Sequence, residues 1–121
     1  MRFMMFIKHP ADYDPADTPP ALYAAMGKFI EEYAERGVFL DGAGLQPLAN
    51  GTQVRLAGGE ISVTDGPFTE AKEVIGGYAI CQTETREEAV ELATRFMELH
   101  RRHWPGFEGV SEIRLLEEAA E

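Results

Sequence analysis

The hydrophobic pattern of the chain predicts an α+β fold in which two β-α-β units share one antiparallel sheet. Short apolar runs typical of strands alternate with two stretches that have the apolar period of a helix, and a Gly-Gly pair separates two arms of alternating residues. The chain has 121 residues, of which 45% are hydrophobic and 26% charged. This size and composition are typical of one globular domain with one core.

The first half of the chain predicts a strand followed by a helix. Phe3 to Lys8 is an apolar run typical of a buried strand, and His9-Pro10 is expected to end it because proline cannot donate to a strand ladder. After a loop rich in Asp and Pro, Thr18 is the expected N-cap of a helix that runs for about 17 residues and ends at Gly37. Its apolar stripe consists of Leu22, Met26, Phe29, Ile30 and Tyr33.

The second half predicts a strand, an inserted hairpin, another strand, a helix and a closing strand, which begin near residues 38, 50, 77, 85 and 110. Gly42 and Gly44 are expected to break the first of these strands. Gly58-Gly59 is the expected tight turn of the hairpin. Thr85 to Glu88 has the pattern of a capping box, so the helix is expected to start there. The expected apolar face of that helix is Ala89, Leu92, Phe96 and Leu99.

Together these elements predict a ferredoxin-like sandwich, built from two split β-α-β units with both helices on one face of the sheet. The domain is expected to cover residues 1–116, and the acidic residues 117–121 are expected to fray. Strands such as Phe3–Lys8 are apolar on both sides, so the other face of the sheet would be a large exposed apolar patch. Pairing of two sheets would cover this face, which predicts a homodimer with a small-molecule pocket between the sheets.

The charge of the chain limits its partners. The net charge is −10, from 21 acidic and 11 basic residues, and a field of this sign repels phosphate backbones and anionic lipid headgroups. Neither nucleic acid nor a membrane is therefore an expected partner. The apolar N-terminal stretch is too short for a signal peptide or a membrane span, and the single cysteine, Cys81, suits a reducing compartment. A cytoplasmic location is expected, with Cys81 as a buried core residue rather than a nucleophile.

The sequence contains no phosphate loop and no nucleotide-binding fingerprint, so no cofactor is expected. His100 and His103 have a spacing that can place two imidazoles on one metal, but no third ligand with suitable spacing is near them. Histidines at the end of a helix also complement the helix dipole. No metal is therefore expected.

Three blocks of sequence resemble the YCII-related (DGPF) family. Asp65-Gly66-Pro67-Phe68, within the stretch 63–73 and followed by Gly76-Gly77-Tyr78, is similar to the signature of the family, and the stretches 37–47 and 111–114 also agree. The resemblance implies a ferredoxin-like subunit assembled as a dimeric α/β barrel. One branch of the family is similar to small-molecule lyases that use a carboxylate and a histidine on the first helix. Here Met26 lies near the place of that histidine, so the pair is not present intact. The resemblance also implies an association with sigma-factor-type transcription regulators.

His9 and Asp65 are the candidate catalytic residues. His9 lies where a pocket at the edge of the sheet would open, and an imidazole there suits general acid/base chemistry near neutral pH. Asp65 or Asp41 would accept a hydrogen bond from its ring N–H. Each residue also has a structural interpretation, with His9 as a half-exposed residue at a strand end and Asp65 as a residue that holds the turn.

Four further side chains are candidates for binding a substrate: Asp41, Lys72, Tyr78 and Phe68. A lysine beside such a loop can bind an anion, and the tyrosine hydroxyl can point to the same space. Solvated surface, strand packing and core anchoring explain the same residues without a ligand. The hypotheses are a lyase-like enzyme that acts on a small organic acid, a ligand-binding or regulatory module without chemistry, and a purely structural dimer.

Overall fold

The computed structural model describes residues 1–68 and 70–117, which form two sheets and two α-helices. The strands are β1 (Arg2–Pro10), β2 (Phe39–Gly44), β3 (Thr52–Ala57), β4 (Glu60–Asp65), β5 (Glu73–Gln82) and β6 (Val110–Leu115). The helices are α1 (Pro20–Glu35) and α2 (Arg86–His103). Apart from Glu117, the predicted tail at 117–121 lies outside the described residues.

The main sheet has four strands in the order β2-β5-β1-β6, and every neighbouring pair is antiparallel. The strands β3 and β4 form a separate two-stranded hairpin between β2 and β5 in the chain. Without this insertion, the order is the one that two split β-α-β units produce. The predicted α+β class is therefore confirmed, and the architecture is compatible with a ferredoxin-like fold.

The first strand is longer than its sequence suggests. The prediction that His9-Pro10 ends it is wrong, because His9 pairs with Val74 and Pro10 with Glu73. The sixth strand reaches only as far as the partner of Lys8, so β1 has a neighbour on one side alone at Pro10. A proline is tolerated at such a half-paired strand end, since fewer ladder donors are required there.

The start of α1 also differs from the prediction. Pro19, not Thr18, occupies the N-cap position, and no side chain caps the helix. Thr18 instead ends a short 3-10 turn, with its N–H donating to the Pro15 carbonyl. Because Pro19 and Pro20 have no N–H, fewer donors at this helix start require a cap.

The glycines of β2 do not break it. The strand continues through Gly42 and Gly44, which pair with Ala79 and Gly77 of β5. A Cβ atom on Gly42 would lie 2.6 Å from the Tyr78 carbonyl oxygen, so the two strands approach closely because this residue is glycine. The fifth strand in turn begins at Glu73, four residues before the predicted start.

Other local predictions are confirmed. Gly58 and Gly59 have positive φ angles of 60° and 79° in the hairpin turn, and the closing strand spans Val110–Leu115. The Thr85 hydroxyl caps α2 by accepting from the Glu88 N–H at 3.2 Å. In each case the signal is local, because a few adjacent residues determine the backbone geometry.

Strand alternation gives the main sheet two different faces. On the face toward the helices, which we call the helix face, Phe3 and Met5 are buried against Tyr33, Leu92 and other core residues. The intervening residues Met4 and Phe6 lie on the opposite side, which we call the open face, and are only half-buried. The hydrophobic core of the subunit therefore lies between the helix face and the two helices.

Candidate functional site

A cavity of about 380 Å³ lies between the helix face of the sheet and the two helices. Its volume is within the range of small-molecule sites, roughly 300–1,000 Å³. Most of its wall is apolar or aromatic and includes Met5, Leu22, Met26, Phe29, Cys81 and Phe96. The cavity is therefore shaped for a compact organic molecule with a largely apolar surface.

The mouth of the cavity lies between α1 and the end of β2. Tyr23 and Gly27 of the helix line the cavity and are exposed, as are Gly44 and Leu45 on the other side. A Cβ atom on Gly27 would meet no atom within 4 Å. The absence of a side chain at this helical position therefore leaves the entrance clear.

His9 forms part of the cavity wall at the end of β1, and its ring is held by aromatic neighbours. The imidazole is 6% exposed, stacks on Tyr13 with centroids 3.6 Å apart, and meets the edge of Phe107 at 5.5 Å. Gly76 lies directly beneath it, since a Cβ atom there would be 2.5 Å from His9 Cδ2. The ring thus has one position, fixed by packing on both sides.

Burial lowers the pKa of His9 to about 4, and the neighbouring His100 contributes to the shift. The imidazole is therefore neutral near pH 7 and offers an unprotonated nitrogen as a base or hydrogen-bond acceptor. The described contacts of the His9 ring are with aromatic rings. Every fully buried side-chain nitrogen or oxygen among the described residues has a hydrogen-bond partner. The ring nitrogens are therefore not completely buried, although Nε2 lies close to Gly76.

His100 lines the same cavity from α2 and is 3% exposed. Its Nδ1–H donates to the Phe96 carbonyl at 2.9 Å, and burial lowers its pKa. From the sequence alone, His100 is interpreted as a residue at the end of the helix, and its burial is not predicted. The available signal was its spacing, because His100 lies eleven residues after Ala89 and four after Phe96, on the same helical stripe.

Asp65 lies elsewhere, at the exposed end of β4. Its carboxylate accepts from the Thr52 hydroxyl at 3.0 Å, and the Gly66 N–H donates to the Gly51 carbonyl at 2.8 Å. A Cβ atom on Gly66 would collide with the Leu48 carbonyl. These contacts agree with the structural interpretation of the turn, and Asp65 is not among the residues that line the cavity. Its catalytic role stays a prediction.

The four predicted substrate-binding residues are dispersed. Asp41 is exposed and pairs with Ile80, and Lys72 is exposed before β5. Phe68 borders a separate depression of about 450 Å³ beside the turn, which Tyr13 also borders. Tyr78 lines the main cavity, but it pairs with Phe6 of the open face, so its ring points away. The binding roles of these residues also stay predictions.

Cys81 is 2% exposed within the core, and burial raises the pKa of its thiol to about 11. It is thus protonated at neutral pH, which agrees with its interpretation as a small hydrophobic residue. Within residues 1–68 and 70–117, no group of three or more His, Cys, Asp or Glu side chains is arranged to hold a metal ion.

Comparison with family models decides the affiliation of the chain. The model of the YCII-related domain matches residues 1–98. The chain belongs to the YCII-related family. In this YCII-related chain the match includes His9, Met26 and the turn at Asp65, whereas His100 and β6 lie beyond it. No curated protein matches the chain at a significant level. None of the described helices is long and apolar enough to cross a membrane.

Proposed function

We propose that this YCII-related protein binds a small, uncharged and largely apolar organic molecule in the cavity between the sheet and the helices, with His9 as its acid/base group. The observation that carries the proposal is the neutral imidazole of His9 in the wall of a 380 Å³ apolar cavity. A few polar groups within an apolar wall are typical of small-molecule sites. A buried group with a shifted pKa is typical of functional sites.

The charge of the cavity wall favours a neutral ligand. Among the described residues that line it, none is Lys, Arg, Asp or Glu. Burial of an ionised carboxylate without a partner costs roughly several kcal/mol of free energy. An anionic ligand would incur this cost here, because no lysine or arginine among the described residues lines the cavity. The predicted small organic acid would depend on Lys72, which lies in the loop outside the cavity. We therefore narrow the ligand to uncharged molecules.

Proton transfer in a lyase-like reaction is the chemistry that His9 supports. A neutral imidazole can remove a proton from a bound molecule and return it to a leaving group. Met26 lines the cavity, and it lies on α1 near the position where the resemblance expects a histidine. In this chain the base is therefore assigned to β1 rather than to α1.

The alternative is a ligand-binding or regulatory module without catalysis. Its support is that neither of the proposed carboxylates, Asp65 and Asp41, lines the cavity that His9 lines. A histidine without a carboxylate partner is a weaker base, because nothing stabilises its imidazolium form. The sigma-factor-type partner belongs to this alternative and rests on the resemblance alone.

The proposal retains a cytoplasmic homodimer formed through the open face. Met4, Phe6 and Ile80 are half-buried there in the single subunit, and charged residues such as Lys8 and Glu112 lie beside them. An apolar centre with a charged rim is typical of a protein–protein interface. In such a dimer each cavity would keep its mouth free, because the mouth lies on the helix side of the sheet.

Trp104 allows a direct test of ligand binding. It is the single tryptophan of the chain and lines the cavity. Titration of the protein with benzamide, which is neutral, and with benzoate, its anionic isostere, should change Trp104 fluorescence saturably for benzamide. Benzoate should bind at least about tenfold more weakly because its charge would be desolvated without a partner.

The control for this titration is a pair of variants at the mouth. Gly27→Leu should weaken benzamide binding because the new side chain covers the entrance, whereas Gly27→Ala should leave binding close to wild type. Neither should reduce thermal stability, since the position is open and helical. Equal binding of the two probes would contradict a neutral site, and no effect of Gly27→Leu would place binding elsewhere.

A further inference from the structure

His100 is held in a single orientation inside the cavity. Its ring contacts those of Phe96 and Phe107, with centroid distances of 5.1 Å and 4.8 Å. Phe107 also contacts His9, so the two histidines lie at the same end of the cavity. The sequence assigned His100 no ligand, and it lies beyond the residues that the family model matches.

The hydrogen bond of His100 determines its tautomer. The Phe96 carbonyl can only accept, so Nδ1 carries the proton of the neutral ring and Nε2 has a lone pair. In the part of the chain that the structure describes, the ring forms no second hydrogen bond, and no fully buried polar side-chain atom lacks a partner. Because His100 lines the cavity, Nε2 must be accessible from it.

An acceptor at this position selects one class of ligand. A hydroxyl or N–H group on the ligand would donate to Nε2, whereas an ether or ketone oxygen would place one lone pair against another. A ligand that leaves this buried acceptor unpaired loses affinity, because water must be removed from Nε2 without replacement.

We propose that the end of the cavity lined by His9 and His100 binds a hydroxyl- or N–H-bearing group of a neutral ligand, with His100 Nε2 as the acceptor. This inference rests on the proposed function, because it requires that the cavity binds a small molecule. It adds the chemical class, which is a phenol-like molecule: an apolar ring with one hydrogen-bond donor. It also makes His100 a ligand-binding residue.

The test compares phenol, anisole and toluene, which share a ring and differ in the group attached to it. Each is titrated into the wild-type protein with Trp104 fluorescence as the signal. Phenol should bind about tenfold more tightly than toluene, and anisole no better than toluene. In His100→Phe, phenol should bind like toluene, since the aromatic contacts remain and the acceptor is lost. His100→Gln should restore most of the preference because its side chain places an amide oxygen close to the position of Nε2.

The outcomes separate the two proposals. Binding of toluene without preference for phenol, or an unchanged preference in His100→Phe, would overturn the role of His100 and leave the cavity site intact. No binding of any of the three would overturn the proposed function and this inference with it. Should His100→Phe fail to fold, nitrogen NMR of the wild-type imidazole decides: phenol, but not toluene, should shift the Nε2 resonance, and an unshifted resonance would reject the inference.

Discussion

Lys8 and His9 are neighbours in β1, but they lie on opposite faces of the sheet and in opposite electrostatic environments. Lys8 Nζ lies 3.0 Å from a Glu112 carboxylate oxygen and 3.8 Å from one of Glu73. The hydrogen bond to Glu112 raises the pKa of Lys8, with the charges of both glutamates adding to it. His9 has aromatic neighbours, and burial lowers its pKa.

Strand alternation thus separates two kinds of chemistry across one sheet. The open face retains paired charges that are still partly exposed, which suits contact with another protein at a polar rim. The helix face removes water from its histidines and keeps them neutral, which suits an uncharged ligand. A one-residue step along β1 is sufficient to change from one environment to the other.

The first test concerns the open face, where we expect the strongest consequence of a single substitution. Phe6→Glu places a charge among the apolar residues that we propose pair in the dimer. It should raise the dimer dissociation constant by about a hundredfold or more, equivalent to about 3 kcal/mol, as measured by sedimentation at several protein concentrations.

Val90→Glu is the matched control for that change. Val90 is an exposed apolar residue of α2, on the side of the subunit away from the open face. This variant should sediment like the wild type. A wild-type chain that is monomeric at all concentrations would refute the dimer and leave the cavity proposal standing.

A second test addresses the packing of the helix face. Gly76→Ala should destabilise the protein by about 2–3 kcal/mol in urea unfolding, because the new methyl group overlaps the fixed His9 ring. Gly44→Ala should change stability by less than about 0.5 kcal/mol, since its Cβ atom would lie 3.9 Å from the nearest atom.

A double variant shows whether the overlap is the cause. His9→Ala removes the ring, so adding Gly76→Ala to it should be less unfavourable than adding Gly76→Ala to the wild type. Strict additivity of the two changes would mean that the ring and the glycine do not compete for space.

The last test concerns the pH dependence of stability that His9 contributes, for which we expect the weakest consequence. The pKa of His9 is about 4 in the folded protein and about 6.5 when unfolded, so the unfolded chain binds more protons between these values. The contribution of His9 to the free energy of unfolding is therefore complete above pH 6.5 and is lost as the pH drops toward 4. The loss should be roughly 2 kcal/mol, which is less than the full shift implies because the folded protein can relax around a charged imidazole. His9→Gln should show a flatter profile over this range. Profiles that run parallel would show that burial does not keep His9 neutral.

The sequence predicts the elements that depend on adjacent residues. Thr85 and Glu88 specify the start of α2, and Gly58-Gly59 specifies the hairpin turn. It does not predict that β1 continues through Pro10, because this depends on pairing with β5, more than sixty residues away. The prediction that Gly42 breaks β2 is wrong for the same reason, since the close approach of Gly42 to Tyr78 is a tertiary contact.

The site was predictable only in part. The position of His9 at the end of the first strand predicts a residue at a pocket between paired sheets, whereas the cavity that His9 lines lies on the helix face of one subunit. The catalytic role of His9 stays a prediction. The proposed pairing with Asp65 could not be judged from sequence, because the location of a turn after an inserted hairpin depends on the whole fold. The helical period places His100 on the apolar stripe of α2, but a histidine at this position is equally typical of a helix end.

The burial of Cys81 gives the protein an intrinsic probe of accessibility, because the rate of thiol modification depends on how often the thiol is reached. Cys81 is the one cysteine of the chain, lies in the core, and is protonated at neutral pH. A thiol reagent can therefore reach it only slowly, either through the cavity that Cys81 lines or when the helix layer moves away from the sheet. The modification rate reports this access, and a molecule bound beside the thiol should slow it in proportion to its occupancy.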